Sequence, residues 1–220
     1  MPLSAPLLGA SAALLFAIGI SELALTVRGL NSTRSYYNIG TSNLRGTLRG
    51  HDVSLLPENY DQKPTKVTLA AGVIAAVTGL VGLFDVVFGL SEKATSKASY
   101  AAMIHGVLGL LSFILSLVAL IYGMVAQSQS STWHYEGIKT TYGKYTVEGW
   151  ACQMKDVFVS YGDKFAGVCK ESQAARYLTI VLFLFSIGFV AGAFLKDKSR
   201  KANLQRSVRK HQTEDELQSF

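Results

Sequence analysis

The chain has 220 residues, a formal charge of +6, and 16% charged residues against 49% hydrophobic ones. That length accommodates one membrane domain and no separate soluble enzyme domain. The positive excess is concentrated at the start of the C-terminal tail, where Lys196, Lys198, Arg200, Lys201, Arg206, Arg209 and Lys210 stand against Asp197 alone, before the tail ends acidic at Glu214, Asp215 and Glu216.

Four apolar stretches, at residues 7–27, 67–90, 100–126 and 177–195, are each near or above the ~20 residues a helix needs to cross a bilayer. In lipid each backbone group must be satisfied within its own segment, so these stretches are expected as helices and not strands. The predicted fold class is an all-α membrane protein: a four-transmembrane-helix bundle with a small disulfide-braced cap between spans three and four. The expected layout is a membrane domain over residues 1–195, with outer loops at 28–66 and 127–176. A basic, partly disordered cytosolic tail at 196–220 completes it. The positive-inside bias places the tail in the cytosol, and an even number of spans then places the N-terminus there too. The turn at 91–99, with Lys93 and Lys97, lies on the same side. Arg28, Arg34, Arg45, Arg49, Lys63 and Lys66 in the first loop weigh against this orientation but are outweighed by the tail together with Cys152 and Cys169 in the second loop. The setting implied is a plasma-membrane or secretory-pathway membrane.

The first span has no basic flank beyond the amino terminus and carries Glu22 near its far end. It reads as a permanent span more than as a signal peptide. Asn31-Ser32-Thr33 follows it as a glycosylation sequon at Asn31. Span two carries Ala71, Ala75 and Gly79 four apart, span three Ala98, Ala102 and Gly106, and span four Gly188 and Gly192. Such ridges let helix backbones approach closely. Intramolecular packing is their first reading, with self-association or binding to other membrane proteins as the second.

Ionisable groups within spans are costly and therefore informative. Glu22 is expected about a turn from the outer end of span one, within reach of the interface by snorkelling. Asp85 and His105 fall at matched depth on consecutive antiparallel spans and are expected to pair. That pair is read as structural, with a proton or ion relay, or independent contacts to lipid headgroups, as the alternatives. Ser112, Ser116, Thr78 and Thr179 supply few and scattered polar positions for a pathway.

The second outer loop, about 50 residues long, exceeds what a connection requires. It holds Trp133, Tyr135, Tyr142, Tyr145, Trp150, Phe158, Tyr161 and Phe165, and the only cysteines, Cys152 and Cys169. An outward-facing loop is where a disulfide forms and persists. Alternation over 142–147 predicts a strand. Met154, Val157, Phe158, Tyr161 and Phe165 recur at helical spacing and predict a short helix between the cysteines. Trp150 is expected in the packing of this cap.

Catalytic readings find little support. There is no CxxC pair. His51, His105, His134 and His211 fall at different depths or on different sides and give no metal-ligand spacing. No phosphate loop or nucleophile elbow appears. The protein is read as not an enzyme, with no cofactor and no metal. The tail cations suit anionic inner-leaflet lipid, at ~1 kcal/mol each near the surface, and not nucleic acid.

The layout resembles the broad four-span group of MARVEL-type, claudin-type and tetraspanin proteins, though the tetraspanin Cys-Cys-Gly is absent. The stretch Glu148-Gly149-Trp150-Ala151-Cys152-Gln153, with Cys169 and Ala174-Ala175-Arg176, is similar to fungal four-span proteins of MARVEL-like appearance. The resemblance implies a membrane-organising role and no known chemistry. The sequence thus leads to a non-enzymatic membrane organiser or accessory subunit that binds other membrane proteins and anionic lipid. The alternative is a small channel or transporter subunit using Asp85 and His105.

Overall fold

The computed structural model describes residues 4–38, 45–48, 51–54, 60–88, 95–132, 144–157 and 162–218. In chain order the elements are α1 (Ser4–Asn38), β1 (Arg45–Leu48), β2 (His51–Ser54), β3 (Tyr60–Asp61), α2 (Lys63–Phe88), α3 (Thr95–Ser128), β4 (Tyr145–Thr146), α4 (Val147–Met154) and α5 (Gly162–Gln218). Helices α1, α2, α3 and α5 are each long and apolar enough to cross a membrane. The chain is a multi-pass membrane protein of the expected four-span class.

The four helices form a ring. α1 packs on α2 and α5, α3 packs on the same two, and α2 meets α5 more lightly across the centre. The bundle core joins Leu8, Ala12 and Leu15 to Ala71, Ala75, Ala119, Leu182 and Phe189. Large apolar side chains such as Val87, Met103, Leu184 and Phe194 are exposed on the outside of the bundle, as side chains facing lipid would be.

The small-residue ridges of spans two and four are spent inside this bundle. A Cβ on Gly19 would lie 2.7 Å from the Ala76 backbone nitrogen and 2.9 Å from the Gly72 oxygen. One on Gly79 would overlap the backbone of Ala12 and Phe16. The α1 and α2 backbones therefore touch, which only residues lacking a side chain allow at those positions. Gly188 and Gly192 likewise face Ser11 and Leu8 of α1. Only the ridge of span three turns outward at its described end, where Gly106 has open space before it. Ala98 and Ala102 have side chains outside the described ones.

The helices overrun the apolar stretches. α1 continues past residue 27 to Asn38, and α5 starts at Gly162, well before residue 177. Arg28 and Glu171 join these two extensions at 3.5 Å. At the other end α5 runs on to Gln218 where partial disorder is expected. Residues 196–218 contain neither Gly nor Pro and are rich in helix-forming Lys, Arg and Gln. Lys201 and Asp197 form a pair one turn apart at 2.6 Å.

The first loop holds the β1–β2 antiparallel pair, with Arg45 opposite Ser54 and Leu48 opposite His51. Its end is tied to the second loop by the short parallel pairing of β3 with β4, Tyr60 to Tyr145 and Asp61 to Thr146. The strand expected at 142–147 is confined to Tyr145–Thr146 among the described residues, because Thr146 is already the N-cap of α4. Its side chain accepts from the Gly149 amide. Tyr142 lies outside the described residues.

The single helix expected between the cysteines is instead two. α4 ends at Met154, a turn follows over 155–157, and α5 begins at Gly162. Met154 and Phe165 have similar burial because they enter one core from two helices, not because one helix carries both. Phe158 and Tyr161 lie outside the described residues.

Candidate functional site

The cap is a small core of its own. Tyr145, Val147, Trp150, Ala151, Met154, Phe165, Val168 and Cys169 pack together. Trp150 is fully buried, and the edge of one ring meets the face of the other between it and Tyr145 at 4.9 Å. The Cys152–Cys169 disulfide joins α4 to α5. The expected disulfide is thus formed, and it braces the cap to the start of the fourth spanning helix.

Polar contacts seat the cap on the bundle. The Thr146 hydroxyl donates to Gln127 Oε1 at 2.8 Å, and Gln153 Nε2 donates to the Ser131 carbonyl at 3.0 Å. Glu148 pairs with Arg176 at 2.9 Å. Burial pushes the Glu148 carboxyl above its ordinary range, and the Arg176 guanidinium offsets this in part. Burial also pushes the Tyr145 phenol up.

Below the cap, a cavity of about 70 Å³ lies where α1, α2, α3 and α5 converge on the start of α4. Thr26, Thr68, Gln127, Glu148, Arg176 and Thr179 are among its lining residues. Thr26 is 4% exposed, and its hydroxyl has no hydrogen-bond partner; the buried Nε of Arg176 is likewise without one. Nothing in the sequence marked this cavity, since its walls come from five separate segments.

Glu22 sits at the same end of the bundle but does not snorkel. It is wholly buried, and its Oε1 accepts a hydrogen bond from Thr179 at 2.6 Å. Its Oε2 faces the bare backbone at Gly72 and has no partner. The close α1–α2 approach closes the route by which its carboxylate would reach the interface.

At the opposite end, Asp85 and His105 are brought together as expected, with 3.8 Å between His105 Nε2 and Asp85 Oδ2. The stronger partner of Asp85 is Lys196, whose Nζ donates to the same oxygen at 2.6 Å. Lys196 therefore belongs to the buried polar group as well as heading the basic cluster. A signal for this existed: Lys196 follows directly on the apolar run of span four, which runs parallel to span two, and so falls at the depth of Asp85. His105 also stacks with Phe189 at 6.2 Å between centroids.

Between the two ends the interior is filled. Ser112 and Ser186 meet at 3.1 Å, and Thr78 donates to the Ile74 and Leu108 carbonyls. These hydroxyls all face inward, yet they are largely satisfied by carbonyls of their own helices. Leu15, Leu182 and Phe189, fully buried, occupy the space between Glu22 and Asp85.

Asn31 is exposed but lies within α1, not in a loop. Lys198, Lys201 and Arg209 are largely solvent-facing. Arg200, Arg206 and Lys210 lie on α5 with side chains outside the described ones. Compared with family models, with curated proteins and with solved structures, the chain matches none.

Proposed function

We propose that the protein is a non-enzymatic membrane organiser or accessory subunit, which docks other membrane proteins through its outward-facing cap and holds anionic lipid with the basic start of its tail. One observation carries this reading. A rigid cap, braced by Cys152–Cys169, is built on the same unbroken helix that crosses the bundle and continues as the basic tail. Such a helix links a partner held on one side to a surface or partner on the other without any moving part. The reading agrees with the membrane-organising role that the MARVEL-like resemblance implies. The small-residue ridges of spans two and four are occupied within the bundle, so docking falls to the cap and the apolar girdle. Affinity purification from native membranes, comparing the intact chain with Cys152→Ser/Cys169→Ser, tests it. Defined membrane-protein partners retained by the intact cap and lost with the variant are expected; identical recovery from both would refute it.

A second reading, a small channel or transporter subunit, draws on the buried Asp85, His105 and Lys196 group. The leucines and Phe189 packed along the axis weigh against it. Reconstituted vesicles discriminate: a pathway requires pH-dependent flux that Asp85→Asn abolishes.

A further inference from the structure

The cavity under the cap combines three features that a packing defect does not. Its walls are mainly apolar, supplied by Leu25, Ala119, Leu120 and Val147. Its volume of about 70 Å³ exceeds what one water needs several-fold. Two of its lining residues carry a buried donor without a partner, the Thr26 hydroxyl and Arg176 Nε–H, although buried polar groups are as a rule paired. We propose that this cavity is a binding site for an uncharged, hydroxyl-bearing group.

Charge selects that chemistry. Glu148 and Arg176 neutralise each other at 2.9 Å, so a charged ligand would find no counter-ion of its own. An anion would meet Glu148, and a cation would meet Arg176. A hydroxyl accepts from Arg176 Nε–H and either donates to or accepts from Thr26, satisfying both orphan groups without adding charge. Pairing with Glu148 also holds the guanidinium in place before the ligand arrives. The cavity lies at the end of the spans, where an aqueous polyol and the hydroxyl head of a neutral lipid both have access. These two sources share the recognising chemistry.

The test uses the full-length chain in phosphatidylcholine nanodiscs. Saturable binding is measured with a photoreactive cholesterol analogue competed by unlabelled cholesterol or dioleoylglycerol, and separately with radiolabelled glycerol in solution. Two variants accompany it. Thr26→Val removes one hydroxyl at constant shape, and Gly123→Leu fills the cavity from a position where a Cβ meets nothing within 4 Å. Thermal unfolding of ligand-free protein checks that both variants are folded. The expected result is saturable binding of one probe class, about five-fold weaker in Thr26→Val, the change corresponding to one hydrogen bond, and abolished in Gly123→Leu. Lipid-probe binding identifies a membrane ligand, and glycerol binding a soluble one. Failure of both probes to bind saturably, or equal binding by folded Gly123→Leu, would overturn the proposal and leave a water-filled cavity.

Discussion

Asp85 and Lys196 differ in how much each depends on the other. The Asp85 side chain is 6% exposed, whereas that of Lys196 is 28% exposed and ends a long flexible stem. Lys196→Met therefore strands a buried carboxylate and is expected to cost about 3 kcal/mol, in the range for breaking a buried pair. Asp85→Asn leaves a lysine that can turn toward the interface, and should cost distinctly less. The double variant should recover most of the loss, and thermal unfolding of the four proteins in detergent measures the coupling. Purely additive effects would place Lys196 with the tail cations alone. Glu148 supplies a pH dependence of defined sign. Burial holds its carboxyl above the ordinary 4.5, so the folded cap binds this proton more tightly than the unfolded chain does. Its contribution to stability is lost as pH rises through the folded value and regained as pH falls back toward 4.5. Near-UV dichroism of the cap aromatics during unfolding, across that window, should show this slope. Glu148→Gln should flatten it. The matched depths of Asp85 and His105 were legible in the sequence, because antiparallel neighbours make depth a matter of counting. The pairings Glu22–Thr179 and Glu148–Arg176 were not, since nothing local specifies which helix faces which.

The α1–α2 contact depends on glycine at the element scale. Gly19→Leu must separate two touching backbones and is expected to destabilise the bundle by roughly 1–3 kcal/mol or more. Gly106→Ala serves as its control. That position opens onto free space, and alanine should be neutral or stabilise the helix by up to about 1 kcal/mol. Thermal unfolding of both in one detergent separates close packing from helix propensity. The small-residue spacing announced close packing in advance but not its partner; a ridge of this kind reads the same whether it meets its own chain or another. The disulfide is a separate element-scale device. It closes a loop with a sequence separation of 17, worth about 3 kcal/mol of chain entropy. Cys152→Ser/Cys169→Ser should lower the stability of the cap by that order, with the spanning helices retained in far-UV dichroism. The helix expected between the cysteines failed for an instructive reason. Met154 and Phe165 keep a helical interval in sequence, but their burial arises from two helices folded against each other.

At the scale of the molecule, the 57-residue α5 sets where its charges lie. Each residue advances ~1.5 Å along an unbroken helix, which carries Lys210 about 22 Å beyond Leu195. Lys198, Arg200 and Lys201 remain within roughly one Debye length of ~8 Å, while Arg206, Arg209 and Lys210 do not. Replacing the nearer three by Gln should weaken binding to vesicles containing anionic lipid by ~1 kcal/mol each at physiological salt. Replacing the farther three should change it little. Equal effects from the two groups would mean that the helix bends down onto the membrane. The same helix carries the cap at its other end, and this continuity unites the two halves of the proposed function.

The sequence alone determined that four apolar helices are long enough to cross a membrane, because a bilayer imposes its demand on every segment separately; how far α1 and α5 continue beyond their apolar stretches it did not show. It also identified the cysteines that pair and the costly residues Glu22, Asp85 and His105. What only the tertiary structure decided is which of those groups meet. Glu22 is held by Thr179, Asp85 by Lys196, and the cavity is walled by segments distant along the chain. Crossing a membrane is a property of about twenty consecutive residues, whereas a polar contact or a cavity belongs to helices that the sequence orders only along one line.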